Sequence, residues 1–215
     1  MVITISRQYG AGGSDVARRV AEAIGWSVVD NELVEQVAAR AGISPAEAAE
    51  RDERAPGFVE RLTRTLAAAT PELFPPAGGT VADLDEASLV RITETVVGEM
   101  AARGRVILVG RAAPAVLGRQ HDALHVKLVA PRPFRIHAAS QRLGMDPAEV
   151  AKIVDDTDAM RARYHREYYQ RDWADPLNYH MVLNSGALGL AGAAAVIVAR
   201  ARAEGWDASP AATRN

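Results

Sequence analysis

Four short apolar runs along the chain predict buried strands. They lie at 2–5, 106–109, 124–129 and 181–183. The strands of a parallel sheet are covered on both faces, so they read as continuous apolar runs and not as an alternation. A further segment, 26–30, has the sequence WSVVD and is typical of an edge strand that ends in an acidic residue.

Apolar residues at helical spacing occupy the segments between these runs. The first such segment places Val16, Val20, Ala23 and Ile24 on one face. The helices predicted in this way span 14–24, 31–41, 45–50, 57–68, 86–103, 133–142, 147–168 and 187–203. Strands that alternate with helices predict an α/β fold in which right-handed crossovers join a small parallel sheet.

Two long helical blocks interrupt the alternation and suggest how the chain is organised. We expect a single domain over 1–206, composed of a core at 1–30, 104–132 and 178–206, an insertion at 31–103 and a lid at 133–177. The stretch 69–85 is rich in Pro and Gly and predicts a mobile loop, and 207–215 predicts a disordered tail. The helix at 86–103 fits either a core position or a homodimer surface.

Composition narrows the class of protein. The formal net charge of −2 gives no electrostatic case for a nucleic-acid or membrane partner, and the absence of cysteine excludes disulfides and thiolate zinc sites. No apolar run approaches the roughly 18 residues of a membrane span, and the alanine-rich 187–203 reads as a packed helix. The first strand begins at residue 2, which leaves no room for a signal peptide. We expect a soluble cytoplasmic protein.

A glycine-rich loop follows the first strand, in the segment ITISRQYGAGGSD at 3–15. Glycines let a backbone curl around a phosphate, and the amides at a helix N-terminus attract it. The candidate nucleotide-binding residues are Gly10, Ala11, Gly12, Gly13, Ser14 and Asp15. Ser14 occupies the position of a magnesium-binding hydroxyl, although it also suits an ordinary helix N-cap. The alternative for the whole loop is a structural tight turn.

The loop lacks the lysine of the usual phosphate-binding pattern, because Gly13 stands where that lysine belongs. Arg7 stands where the first glycine of the pattern belongs, and we favour it as the replacement cation. Arg18 and Arg19, one turn into the helix, are the alternatives. Arginine binds phosphate through a planar fork and supplies charge without the same point contact. A surface arginine at a strand end is the other interpretation of Arg7.

Charged residues at two further places suit a phosphotransfer site. The strand at 106–109 ends in Gly110-Arg111, which brings a guanidinium to the sheet edge where open α/β folds bind ligands. Asp155, Asp158 and Arg161 lie three residues apart and share a helix face. Like charges at this spacing repel, so magnesium, a base edge or phosphate-bound arginines would offset the repulsion. A salt-bridged solvent helix is the alternative.

The lid region also carries arginines that could close over a transferring phosphate. Arg161 and Arg166 are the catalytic candidates there, together with Arg7 in the loop. The aromatic residues of the same region are interpreted mainly as packing residues: Tyr168, Tyr169, Trp173 and Tyr179. The five histidines share no metal-ligand spacing and receive no catalytic role.

Taken together, these motifs resemble the cytidylate kinase-like family of P-loop proteins. The resemblance runs from residue 2 to about residue 200 and is carried by ITISRQYGAGG, VVDNELV, VILVGRA, DDTDAMRARYHREYY and DWADPLNYHMVLNSG. It implies a three-layer P-loop NTPase-like fold with a helical acceptor-binding insertion and a helical lid. It also implies transfer of the ATP γ-phosphate, with Mg²⁺, to a nucleoside monophosphate such as CMP or dCMP.

Compared with true cytidylate kinases, the chain departs at three motif positions. Gly13 replaces the loop lysine, Ala112 replaces an aspartate after Gly110-Arg111, and Val154 replaces the leading arginine of the lid motif. The resemblance implies that the acceptor is held by Asp30, Arg111, Asp155, Asp158 and Arg161. Ser14 would help to hold magnesium.

Three functions remain open from the sequence. The first is a nucleotide phosphotransferase that uses ATP and Mg²⁺. The second is a regulatory nucleotide-binding module without turnover, which the missing lysine and Ala112 favour. The third is a kinase for another small acceptor, since P-loop folds host many chemistries.

Overall fold

The computed structural model describes residues 1–30, 86–110, 112–118 and 122–206 of the 215-residue chain. The chain divides into two compact units, Met1–Asp30 with Glu94–Asn215, and Asn31–Thr93. Of the second unit, the description covers the start of one helix. Several sequence expectations therefore lie outside the described residues: the helices at 31–41, 45–50 and 57–68, the loop at 69–85, and the tail at 207–215.

A five-stranded parallel sheet forms the centre of the first unit. The strands are β1 Val2–Arg7, β2 Ser27–Asp30, β3 Val106–Val109, β4 Ala123–Val129 and β5 Met181–Asn184. Their order across the sheet is β2-β3-β1-β4-β5, so β1 is central and β2 lies at an edge as predicted. The chain moves to one side of β1 first and to the other side afterwards. The carboxyl end of β1 is therefore the place where an open α/β sheet binds ligands.

Six α-helices are present among the described residues. They are α1 Gly13–Ile24, α2 Glu86–Arg103, α3 Ala113–Leu117, α4 Arg132–Leu143, α5 Pro147–Tyr169 and α6 Ser185–Ala203. A 3₁₀ turn, Pro176–Asn178, follows α5. Periodicity predicted each of these helices except α3, which has five residues and contains a proline. So short a segment carries no periodic signal.

Each face of the sheet is covered by helices, which gives three layers. On one face, Val16 and Val20 of α1 and Ile197 of α6 pack with Ile3 and Ile5 of β1 in the largest apolar cluster. On the other face, apolar residues of α2 and α3 pack against strands β1, β3 and β4, the buried members being Val2, Val97, Val106, Leu108, Ala113, Leu117 and Ala123. The architecture is the three-layer α/β fold around a small parallel sheet that the sequence predicts.

Helix α6 is long and apolar. By length and composition alone it could cross a membrane, with 19 residues and a mean hydropathy of 1.4. The expectation that no apolar run approaches that length was therefore wrong. Its inner residues, among them Ala193, Ile197 and Ala201, belong to the core cluster with α1. The helix therefore packs against the core through these residues, as predicted for 187–203.

Candidate phosphate-binding site

The glycine loop between β1 and α1 has a backbone that only glycine tolerates well. Gly10 and Gly12 have φ angles of 78° and 77°, in the left-handed region. A Cβ atom on Gly10 would lie 2.4 Å from the carbonyl oxygen of Arg135, and one on Gly12 would lie 2.4 Å from a methyl of Leu190. Backbone strain and crowding therefore both favour glycine at these two positions. Because glycine has no Cβ atom, the loop can lie in close contact with α4 and α6.

The unpaired amides of this loop suggest that it binds an anion. Ala11 donates its N–H to the Gln8 carbonyl, whereas no acceptor for the amides of Gly10, Gly12 and Gly13 is found within the described part of the chain. Gly12 is the N-cap of α1 and offers no side chain to these donors. A helix N-terminus with open N–H groups and a partial positive charge binds phosphate. Ser14 is the second helical residue, so the alternative that it is the N-cap was wrong.

Neighbouring elements hold the loop in this shape. The Ser185 hydroxyl, fully buried, donates to the Ala11 carbonyl at 2.8 Å. The Gln8 side chain accepts from the Ala130 amide at 3.1 Å, and the Gln8 amide donates to the Leu128 carbonyl. The loop is thus tied to β4 and to the start of α6 before any ligand binds.

Arg7 ends β1 and is only 7% exposed. Its side chain passes Gly13 and reaches Gly110: a Cβ on Gly13 would lie 2.8 Å from Arg7 Cγ, and a Cβ on Gly110 would lie 2.4 Å from Arg7 Nη1. The guanidinium therefore lies between the start of α1 and the end of β3. The interpretation of Arg7 as a surface arginine was wrong, while its assignment as the replacement cation stays a prediction.

The edge formed by β2 and β3 carries the residues expected on the acceptor side. Asp30 is the last residue of β2, is 6% exposed, and pairs in register with Val109 of β3. Gly110 follows β3 and donates its amide to the Ile5 carbonyl of β1. Arg111 lies outside the described residues. Asp30 and the end of Arg7 are thus both placed at the carboxyl edge of the sheet.

Asp158 of α5 contacts the loop directly. One carboxylate oxygen accepts from the Tyr9 amide at 2.8 Å, and the other accepts from Arg135 Nη1 at 2.6 Å. Arg135 also donates to the carbonyls of Ala130 and Tyr9. Arg161 donates to the Arg7 carbonyl at 2.8 Å and lies 3.7 Å from Asp158. These bonds fasten α4 and α5 to the phosphate loop.

The remaining charged candidates face solvent. Asp155 pairs with Arg132 through two hydrogen bonds of 3.0 and 2.7 Å, and this hydrogen bonding lowers the pKa of the Asp155 carboxyl. Asp15 pairs with Arg18 on the exposed side of α1. Arg166 is exposed, and among the described residues its side chain makes no ion pair or hydrogen bond. Among the described residues, neither Asp155 nor Arg166 hydrogen-bonds to the loop, whereas Asp15 lies beside it in the first turn of α1.

The repulsion between Asp155 and Asp158 is offset within the protein. Arg132 and Arg135 lie three residues apart on α4 and face the two acids, each pair being separated by 23 residues along the chain. Magnesium, a base edge or phosphate-bound arginines were expected to offset the repulsion, and the arginines of α4 were missed. The two arginines and the two acids have the same three-residue spacing, from which the pairing could have been predicted.

A buried lysine near the loop was also missed. Lys127 of β4 is 3% exposed, and its ammonium donates to the Trp173 carbonyl and lies 4.0 Å from the centroid of the Trp173 ring. Burial lowers the pKa of Lys127 to about 8. Trp173 also donates to the Ser6 hydroxyl at 2.9 Å, and Tyr179 OH donates to the Trp173 carbonyl at 3.0 Å. The presence of Lys127 within the apolar run 124–129 is the sequence feature from which this buried lysine could have been predicted.

These contacts connect the segment after α5 to β1 and β4. Trp173 and Tyr179 are both buried, which confirms their interpretation as packing residues. Asn184 caps α6 by accepting from the amides of Gly186 and Ala187, so its side chain has a structural use. Within the described ranges, no group of three or more His, Cys, Asp or Glu residues could hold a metal ion.

Comparison with known proteins gives a family match and several similar structures. The family model for the cytidylate kinase-like family matches residues 2–187. No curated protein matches the sequence. Among solved structures, an uncharacterized protein from Eubacterium ventriosum is similar, with a TM-score of 0.61, 17% identity, and coverage of 93% of this chain and 97% of that one. At this identity the likeness shows a shared fold alone.

Two kinases are similar at lower scores. A shikimate kinase from Acinetobacter baumannii, in complex with shikimate, has a TM-score of 0.47 and 13% identity, with 94% of this chain and 93% of that chain covered. A gluconokinase from Sinorhizobium meliloti has a TM-score of 0.49 and 13% identity, with 95% of each chain covered.

Proposed function

We propose that this chain, which belongs to the cytidylate kinase-like family, transfers the γ-phosphate of ATP to a nucleoside monophosphate, with CMP or dCMP as the acceptor. The family and the fold make the protein a kinase-like phosphotransferase. The identity of the acceptor, the use of Mg²⁺ and the roles of individual residues are the proposal.

The observation that carries the proposal is the set of backbone amides in the glycine loop that have no acceptor. The amides of Gly10, Gly12 and Gly13 have no acceptor within the described part of the chain, and the Arg7 guanidinium lies beyond Gly13. A tight turn with only a structural task would have no reason to leave three buried or half-buried donors open, because an unsatisfied amide is costly. The phosphates of ATP would satisfy these donors.

The acceptor would lie on the β2–β3 side of the loop. Asp30 ends β2 at this edge and Gly110 follows β3, so Arg111 comes directly after it. An oxygen of the acceptor monophosphate would attack the γ-phosphorus of ATP while the bond from that phosphorus to the β–γ bridging oxygen breaks, and ADP leaves. The attacking oxygen is already anionic. Positioning and charge stabilisation, without a strong general base, therefore suffice.

Magnesium would depend mainly on the phosphates. Ser14, at the second position of α1, is the residue whose hydroxyl would join its coordination shell. The described residues supply no carboxylate cluster, which suits an ion that usually keeps several waters and phosphate oxygens as ligands. When bound, Mg²⁺ would neutralise charge on the transferring phosphate.

A second function is favoured by one observation. Asp158, a residue of the lid motif, uses both carboxylate oxygens to bind Tyr9 and Arg135. If the acceptor needs that carboxylate, a protein in this state would bind nucleotide without turning it over and would act as a regulatory module. A kinase for a non-nucleotide acceptor is the third possibility, and product formed from such an acceptor would select it.

The test is a coupled kinase assay with ATP, Mg²⁺ and, in turn, CMP, dCMP, UMP, AMP and GMP. We expect diphosphate from CMP or dCMP in the wild type and its loss in Arg111→Ala. Arg200→Ala is the matched control, because Arg200 is an exposed arginine in the last turn of α6. Absence of diphosphate from every acceptor, in protein that still binds ATP, would contradict the nucleotide-kinase proposal and favour the regulatory one.

A further inference from the structure

We propose that Arg7 and Gly13 are an exchanged pair, in which the loop carries its phosphate-binding cation at its first position and must therefore have glycine where a lysine usually stands. The inference deepens the proposed function and rests on it. It assigns to Arg7 the electrostatic task at the phosphates, and it explains the missing lysine as a steric consequence of that assignment.

The first step concerns the backbone of Gly13. Gly10, Gly12 and Gly110 all have positive φ, but Gly13 does not. Nothing in its backbone conformation therefore calls for glycine, and helix position N1 accepts any residue with ordinary helical angles. The requirement for glycine at 13 has to come from its surroundings.

Those surroundings are the aliphatic part of Arg7. A Cβ on Gly13 would lie 2.8 Å from Cγ of Arg7, 3.2 Å from its Cβ and 3.2 Å from its Cδ. These three carbons are the stem of the side chain and are fixed near the backbone, so they have less freedom to move than a distal group. Any side chain at position 13, that of a lysine included, would meet this stem. An arginine at position 7 and a lysine at position 13 therefore exclude each other in this loop.

The second step concerns the charge. From Gly13 the Arg7 side chain continues to Gly110, where a Cβ would lie 2.4 Å from Nη1. The guanidinium thus ends between the N-terminus of α1 and the end of β3, which are the donor and acceptor sides of the proposed reaction. Both the positive helix end and the guanidinium favour a negatively charged group in this space. Arg161 holds the Arg7 carbonyl at 2.8 Å and fixes the start of the side chain.

The steric half of the proposal is tested by a double-mutant cycle on thermal stability. In the wild-type background, Gly13→Ala should lower the Tm by about 5 °C, because an overpacked site costs stability. In an Arg7→Ala background the same Gly13→Ala change should leave the Tm unchanged or raise it, since alanine favours helix over glycine. Equal effects in both backgrounds would overturn the exchange.

A matched control separates this clash from a general effect of glycine replacement. Gly98 lies within helix α2, and a Cβ placed on it would meet no atom within 4 Å. Gly98→Ala should therefore not lower the Tm in either background. If it lowers the Tm as much as Gly13→Ala does, the Gly13 result says nothing special about Arg7 and the exchange is contradicted.

The charge half is tested by titration calorimetry with MgATP and, separately, with pyrophosphate. Arg7→Gln should weaken binding of both probes about 10- to 100-fold, as expected for loss of charge-assisted hydrogen bonds. Arg7→Lys should retain part of the affinity. Arg200→Gln removes the same charge from an exposed side chain in the last turn of α6 and should leave affinity unchanged. Arg7→Gly combined with Gly13→Lys should bind at least about tenfold better than Arg7→Gly alone.

The outcomes distinguish this inference from the proposed function. A protein that binds MgATP equally well with or without the Arg7 charge would overturn the inference and leave the phosphotransferase proposal standing. Wild-type protein that binds neither MgATP nor pyrophosphate would overturn the proposed function and the charge role together. The melting cycle decides the steric exchange in either case.

Discussion

Two ion pairs join the same two helices, and they differ almost only in where they lie. Arg132 with Asp155 and Arg135 with Asp158 both connect α4 to α5 across 23 residues. The side chains of the first pair are 51% and 52% exposed, whereas those of the second are 8% and 16% exposed. The exposed pair has the better bidentate geometry. The buried pair touches the phosphate loop.

Residue type and spacing therefore do not by themselves decide what a charged residue does. An exposed pair is screened by water and contributes little. A buried pair gains less than its Coulomb attraction suggests, because both groups are desolvated, but removing one partner leaves the other charge uncompensated. Asp158 is therefore an anchor between the lid region and Tyr9, while Asp155 is a surface residue. The role of either residue in holding an acceptor stays a prediction.

The largest effect should come from breaking the buried pair. Asp158→Asn leaves an acceptor for the Tyr9 amide but leaves Arg135 buried without its counter-charge. We expect a loss of about 3 kcal/mol in the free energy of unfolding, measured by urea denaturation. Asp156→Asn, on an exposed acid of the same helix, is the control. If both variants unfold at the same urea concentration as the wild type, the anchor role is wrong.

Lys127 differs from Arg135, because it is a buried cation that makes no ion pair with a carboxylate among the described residues. Burial lowers the pKa of Lys127 to about 8 from its ordinary 10.5. The unfolded chain then binds more protons than the folded one between these values, so the free energy of unfolding rises with pH across that window. A full rise would amount to about 3 kcal/mol.

Other groups titrate in the same range, so the measurement is a difference. Urea unfolding of the wild type and of Lys127→Met would be followed from about pH 7 to about pH 9.5, which spans most of the window. The wild-type free energy of unfolding minus that of the variant should increase with pH above about 8. A flat difference would mean that Lys127 keeps its ordinary pKa and that its charge is solvated in the folded protein.

The smallest effect should come from the exposed pair. Asp155→Asn removes the charge that Arg132 contacts, but water compensates for it at a surface more than half exposed. We expect a change in Tm close to the error of the measurement, and one that disappears when salt is raised to about 0.5 M. A loss comparable to that of Asp158→Asn would remove the distinction between the two pairs.

Much of the fold could be read from the pattern of apolar residues. All five strands and five of the six described helices lie where that pattern predicted them, because a covered parallel strand and an amphipathic helix each leave a repeating signal. Helix α3 was missed because five residues are too few for a period. The position of the glycine loop was also predictable, since strand, glycines and helix follow one another along the chain.

Less of the site could be predicted. Gly10 and Gly12 were identified from the motif, and Arg7 was named as the cation. Arg135 was missed, although it contacts both Tyr9 and Asp158, because it carries no motif of its own. Lys127 was read as part of an apolar run. Both residues act through contacts with segments far away in sequence, so spacing and composition could mark the residues but could not identify those contacts.

Three features could be predicted from local sequence patterns: the succession of strands and helices, the place of the phosphate loop, and the helix faces on which charged residues lie. Those properties follow from local periodicity and from the conformational freedom of glycine. Long-range packing, in contrast, places the Arg7 stem beside Gly13, covers Asp158 and leaves Asp155 exposed. Spacing fixes the side of a helix on which a residue lies, but burial depends on which other element packs against that turn.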